Sequence, residues 1–158
     1  KNVVILGAGG AARAIAVELA GAGIRNIMVI NKNSDHAQLL VDIINKKTPA
    51  AGSFMPWEGC VRIPKDTDIL VNATIMGMKP HEDVTLVDKS LFRKDLVVAD
   101  TVYNPEKTKM IVEAEEAGCK AIGGVGMLQQ QGAVNYELFV GKEMPLAEYQ
   151  EFQKAQAK

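Results

Sequence analysis

The sequence has few cysteines, histidines and aromatics, and no bias of charge. Its two cysteines, Cys60 and Cys119, lie far apart and fit no metal spacing. A reduced, cytoplasmic protein is the simplest expectation. His36 and His81 stand alone, so no metal site is expected. The formal net charge of −1 gives no general pull toward nucleic acid or an anionic membrane. No apolar run approaches the ~20 residues of a membrane span, and no secretory pattern opens the chain. Repeats and low-complexity linkers are lacking too. What remains, 47% hydrophobic and 23% charged residues over 158 positions, suits one domain with a sizeable core. An initiator methionine is also missing. The chain starts at Lys1 and enters a buried-type strand almost at once. This leads us to expect an excised domain or the second part of a larger enzyme, with a trimmed terminus as the plain alternative.

The most informative stretch runs from Val3 to Arg13. A β-branched run, Val3-Val4-Ile5-Leu6, enters Gly7-Ala8-Gly9-Gly10-Ala11-Ala12, and a helical pattern follows. This is the Gly-x-Gly-x-x-Gly/Ala arrangement of a dinucleotide-binding βαβ unit, with Ala12 in the third small position. Gly7 would make the tight turn, Gly9 would admit a pyrophosphate, and Ala12 would let helix and strand pack closely. The helix N-terminus would face the phosphates. Glycines can also simply turn a chain; the strand before and the helix after favour the functional reading.

Apolar residues at 12, 15, 16, 19 and 20 mark one helix face, and Gly21 and Gly23 offer stops. Residues 26–30 form a continuous apolar strand, as parallel sheets bury. Asn31 lies 22 positions beyond Gly9, where a NAD site usually carries an acid for the ribose 2′-hydroxyl. Here Asn31 is neutral and Lys32 is cationic, which favours NADP. Asp35 is near enough to serve NAD, and a polar strand end touching nothing is the alternative. Ser34 is expected as a helix N-cap. Residues 50–66 give no clear pattern beyond a short third strand bordered by Met55-Pro56-Trp57. Strands follow at 68–72, 96–100 and 120–122, with helices at 108–117, 127–139 and 146–158. Asn72, Thr74 and Gly77 lie at a strand's carboxyl end, where they either contact ribose or nicotinamide or form a polar turn. Gly123-Gly124-Val125-Gly126 allows close backbone approach to a ligand. Gln131 is either a site residue or part of a solvated helix edge. The βα alternation predicts a Rossmann-type, doubly wound α/β fold with a mostly parallel sheet in order 3-2-1-4-5-6.

Four stretches taken together resemble the cofactor domain of shikimate dehydrogenases. They are Gly7 to Ala14, Asn72-Ala73-Thr74-Ile75-Met76-Gly77-Met78, Asp100-Thr101-Val102-Tyr103-Asn104-Pro105-Glu106-Lys107-Thr108, and Gly124-Val125-Gly126-Met127-Leu128-Gln129-Gln130-Gln131. Met78-Lys79-Pro80 and residues 127–133 are similar to the quinate/shikimate branch. The resemblance implies a two-domain oxidoreductase that passes hydride between NADP or NAD and 3-dehydroshikimate or 3-dehydroquinate. Its small-molecule substrates would be shikimate and, in the quinate branch, quinate. It implies that Gly7, Ala8, Gly9, Gly10 and Ala11 hold the pyrophosphate, and that Asn31 and Lys32 read the adenosine ribose. Asn72 and Thr74 would adjoin the nicotinamide ribose, Gly124 and Met127 the nicotinamide ring, and Tyr103 and Gln131 the substrate. The family's Lys–Asp proton-transfer pair belongs to a substrate domain outside residues 1–158, so no catalytic residue is assigned here. Two departures stand out. Asn31-Lys32-Asn33 replaces the usual Asn-Arg start, so a point charge stands in for a planar fork, and Gly123 occupies a position that is often acidic. The rival expectation is a non-catalytic nicotinamide-nucleotide-binding module with a regulatory role. Oligomeric state is not legible in the sequence.

Overall fold

The computed structural model describes residues 1–84 and 86–156. Two compact units, Lys1–Gly124 and Val125–Lys158, are considered separately. The closing-helix expectation reached residue 158; its last two residues lie outside the described part.

The first unit is a six-stranded sheet in order β3-β2-β1-β4-β5-β6, the expected order, with every pairing parallel. The strands are β1 (Asn2–Leu6), β2 (Asn26–Asn31), β3 (Ala51–Pro56), β4 (Ile69–Asn72), β5 (Val97–Asp100) and β6 (Lys120–Ile122). Alternation along β1 divides the core in two. Val3 and Ile5 enter one cluster with Ala12, Ala16, Ala20, Leu40 and Ile44. Val4 and Leu6 enter the other with Leu70, Val98, Met110 and Ala114. Successive side chains of a strand point to opposite faces, so a strand covered on both faces must be apolar throughout.

Helices α1 (Gly10–Gly21) and α2 (Ser34–Lys47) supply the first cluster. The buried stripe of α1 is Ala12, Ala16 and Ala20, and such small side chains let the helix lie close against the sheet. It ends in a Schellman arrangement: Gly23 takes φ +93°, its N–H donates to Ala20, and Ile24 N–H donates to Leu19. Helix α3 (Lys109–Glu116) ends the same way. There, Gly118 donates to Glu115 and Cys119 to Ala114.

The structure corrects one local expectation. The cap of α2 is Asn33, whose side chain accepts from His36 N–H; Ser34 is already the first helical residue. Among the described residues between β3 and Leu96, chain outside β4 with one isolated bridge (Val61 to Val87) and a 3-10 turn at Lys89–Leu91 covers the second sheet face. It does so with single side chains such as Val61, Ile63, Leu86 and Phe92.

The second unit comprises α4 (Val125–Val140) and α5 (Leu146–Gln156). Gln129 joins them. Its Nε2 donates to Gln153 Oε1 at 2.7 Å, and its Oε1 accepts from Gln150 Nε2 at 2.8 Å. No residue of α4 is buried among those described, and Phe139 is 89% exposed.

Candidate nucleotide site at the carboxyl edge of the sheet

Strand register puts Leu6 beside Ile30 and Asn72, and Asn72 beside Asp100. The carboxyl ends of β1, β2, β4 and β5 therefore form one edge. Strand β1 is the switch point, since the chain goes to β2 and β3 on one side and to β4, β5 and β6 on the other.

The glycines at this edge have different physical reasons. Gly7 takes φ +103°, and a Cβ there would lie 2.8 Å from Ala73 O and 3.0 Å from Thr74 Cγ2. The fold itself requires glycine at that point. Gly9 has an ordinary φ of −79°, and a Cβ on Gly9 or Gly10 would meet no protein atom within 4 Å. Neither packing nor backbone conformation demands glycine there. Gly9 also caps α1 without a side-chain hydrogen bond, and the first turn carries no acid. Open space, a helix N-terminus without a capping side chain and no negative charge fit a pyrophosphate. Ala8 is buried, while Gly9, Gly10 and Ala11 are exposed.

At the end of β2, Asn31 Nδ2 donates to Asn33 O at 2.9 Å, and Lys32 is exposed. Both flank the glycine turn, because Gly7 N–H donates to Ile30 O at 2.8 Å.

Asn72 is 0% exposed, and its amide is fully engaged. Nδ2 donates to Met76 O at 3.0 Å and to Asp100 Oδ1 at 2.9 Å. Its Oδ1 accepts from Thr74 N and Thr74 Oγ1 at 3.1 and 2.7 Å. Through these bonds Asn72 shapes the loop leaving β4. The Thr74 hydroxyl also accepts from Met76 N–H at 3.1 Å, which leaves room for one more bond to its oxygen.

Asp100 was quoted in the sequence motif without a role. Only 3% exposed, it accepts from Asn72 Nδ2 and Val102 N–H at Oδ1, each at 2.9 Å, and from Thr108 Oγ1 at Oδ2, 2.6 Å away. Burial pushes its carboxyl above the ordinary range, against the opposing pull of the bonds from Thr108, Val102 and Asn72. Thr108 in turn caps α3. An acid closing a buried apolar strand was the available sequence signal; its bond to Asn72, 28 positions away, could not be read.

At Gly124 a Cβ would lie 2.5 Å from both Thr101 O and Val102 O, so the chain's own backbone demands glycine there. Tyr103, beyond Val102, is 46% exposed. Met127 and Gln131 lie four residues apart on α4, in the second unit, and Gln131 is exposed.

A hollow of ≈ 580 Å³ lined by Cys60, Arg62, Asp88, Lys89, Lys109 and Glu113 contains none of these residues. Burial, Asp88 and Glu113 push the Cys60 thiol up, which makes it a poor nucleophile. Among the described residues no helix is long and apolar enough to cross a membrane.

The family model for shikimate / quinate 5-dehydrogenase matches residues 1–100, which include the glycine turn and the Asn72–Asp100 pair. The chain belongs to that family. It is 42% identical over 146 residues to the NADP(+) shikimate dehydrogenase of Methanopyrus kandleri, covering 90% of this chain and 50% of that protein. The structure superposes on quinate dehydrogenase from Corynebacterium glutamicum in complex with NAD with a TM-score of 0.86, at 32% identity, covering 98% of this chain and 55% of that one. It also superposes on ligand-free 5-ketofructose reductase of a Gluconobacter strain with a TM-score of 0.85, at 42% identity, covering 93% and 53%. The chain spans about half the length of the curated relatives it matches.

Proposed function

We propose that these 158 residues are the nicotinamide-nucleotide-binding domain of a shikimate/quinate dehydrogenase. The observation that carries this reading is the contrast between Gly7, which the fold requires, and Gly9 and Gly10, whose missing side chains face open space. In this reading Gly7 to Ala11 hold the diphosphate through main-chain N–H groups, and Asn31 and Lys32 meet the adenosine ribose. Thr74 adjoins the nicotinamide end, and Tyr103 contacts the hydroxylated substrate. Asn72 and Gly124 act through the loops they shape. When bound, the nucleotide supplies or accepts the hydride exchanged with a ring carbonyl carbon. The residues of this chain orient it.

The relatives named for NADP(+) and the neighbour bound to NAD support both cofactors. Lys32, as a point charge beside a neutral Asn31, favours NADP. Proton transfer belongs to a Lys–Asp pair in a companion substrate domain, so the 158-residue chain binds nucleotide without turning over shikimate. Two unpaired thiols, Cys60 and Cys119, suit a reducing, cytoplasmic setting.

The likeness to 5-ketofructose reductase at 42% identity favours a second substrate reading, an open-chain or cyclic polyhydroxy ketone. The test is calorimetry of the 158-residue chain with NADP and NAD side by side. Saturable binding with NADP tighter is expected; absence of binding to either nucleotide overturns the reading. Shikimate, quinate and 5-ketofructose are then compared as substrates in the presence of the substrate domain.

A further inference from the structure

The rim of the site is made of loops that are separate in sequence, yet one buried side chain touches both of those on the β4–β5 side. Asn72-to-Gly77 leaves β4 and Thr101-to-Thr108 leaves β5. Asp100 bonds to each: to Asn72 on the first, and to Val102 N–H and the Thr108 hydroxyl on the second. The contacts continue outward. Asn72 carries Thr74 and Met76. The loop's Ala73 O and Thr74 methyl lie where a side chain on Gly7 would have to go. Gly77, with φ +98°, would set a Cβ 3.3 Å from Thr108 Cγ2. Thr101 and Val102 press against Gly124. Closely packed groups of this kind transmit a displacement rather than absorb it.

We propose that Asp100 is a positioning residue that locks the β4 and β5 exit loops into one rim and so sets affinity for the nicotinamide half of the cofactor, but not for its adenosine half. This rests on the nucleotide reading above. Asp100 itself touches no ligand. Thr74 and the backbone before Tyr103 do the presenting, and Asp100 fixes where they stand. The adenosine half would rest instead on α1 and on Asn31–Lys32, where Asp100 has no bond.

The chemistry of the pocket supplies a conservative control. An amide at position 100 can accept from Asn72 and Val102 through its oxygen and donate through its nitrogen to the Thr108 oxygen, which accepts as well as donates. Asp100→Asn therefore keeps all three partners in contact, reversing the bond to Thr108 at the cost of an acceptor for its hydroxyl proton, whereas Asp100→Ala strands the Asn72 amide, the Val102 N–H and the Thr108 hydroxyl.

Two measurements test the proposal on the 158-residue chain. The first is amide exchange without ligand. Asp100→Ala should speed exchange at Thr74 and Met76, which do not bond Asp100 directly, while Ile5 and Val29 keep their protection; Asp100→Asn should match the parent. Unchanged exchange at Thr74 and Met76 overturns the coupling. The second is calorimetry with NADP and with adenosine 2′,5′-bisphosphate. Asp100→Ala should weaken NADP by roughly tenfold or more and the bisphosphate by less than about twofold, with Asp100→Asn restoring NADP binding. Equal loss for both ligands, or no loss for NADP, overturns the proposal. Should the alanine variant fail to fold, Thr108→Val removes one arm of the same network and should shift NADP alone, in the same direction and by less. If the parent chain binds neither ligand, the nucleotide reading has failed, and the exchange measurement still decides whether Asp100 couples the loops.

Discussion

At the scale of single residues, glycine carries two opposite meanings in this chain. Gly124 is glycine because two carbonyl oxygens occupy the place of its side chain. Gly124→Ala should therefore lower stability by about 3 kcal/mol through overpacking, read as a drop in denaturation midpoint. Gly9 is the opposite case. Gly9→Ser supplies the missing cap of α1 and should hold or raise stability by a few tenths of a kcal/mol. It should also weaken NADP by roughly tenfold, by placing a side chain in the phosphate space. A serine variant that binds NADP like the parent would refute the cradle. Lys32→Ala should weaken NADP by roughly threefold to tenfold and leave NAD nearly unchanged; titration of both nucleotides checks it. The sequence alone presented all these glycines as one kind of signal. Telling them apart requires knowing what stands opposite each Cα, and those neighbours come from elsewhere in the chain.

At the scale of elements, strands buried on both faces were legible because each reads as an unbroken apolar run. Strand β3 was not. It pairs on one side only, its residues are half exposed, and Gly52 and Ser53 dilute its pattern. The irregular chain over the second face was opaque for a related reason: its buried side chains follow neither helical nor strand spacing. The Asn72–Asp100 bond joins two strand ends that sequence reading could place at one edge but could not connect. The burial of Asp100 also gives a pH signature, which its bonds to Thr108, Val102 and Asn72 oppose. Because burial holds the Asp100 carboxyl above its unfolded value, the folded chain retains this proton more firmly than the unfolded one. Its contribution is fully present below the unfolded pKa and fades as pH rises through the folded value. Denaturation from roughly pH 4 to pH 7 should show the parent losing stability relative to Asp100→Asn as pH increases. A constant difference across that range would contradict the assignment. Within the second unit, α4 holds no buried residue among those described. Its amides should exchange well ahead of those in β1 and β4.

At the scale of the whole molecule, strand order follows from a few rules: apolar runs alternating with helical faces, and a glycine turn after the first strand. Those rules place any ligand at the carboxyl edge before a single contact is known. They do not say which polar groups at that edge remain available. Asn72 and Asp100 lie at the right place but are buried and bonded within the chain, while Tyr103 is exposed. Substrate choice belongs to this largest scale as well. A purified 158-residue chain that oxidised shikimate unaided would refute the assignment of proton transfer to a companion domain, and steady-state assay with NADP checks it directly.

The narrow fit between Gly7 and the Ala73 carbonyl has a practical side. Anyone building a library to redirect specificity through positions 73–76 would be altering the wall against which the first turn is cast. Clones that shift this wall inward would be lost to misfolding before selection saw them, whereas diversity at 31 and 32, where the Asn31 amide bonds only Asn33 O, could be explored with far fewer casualties.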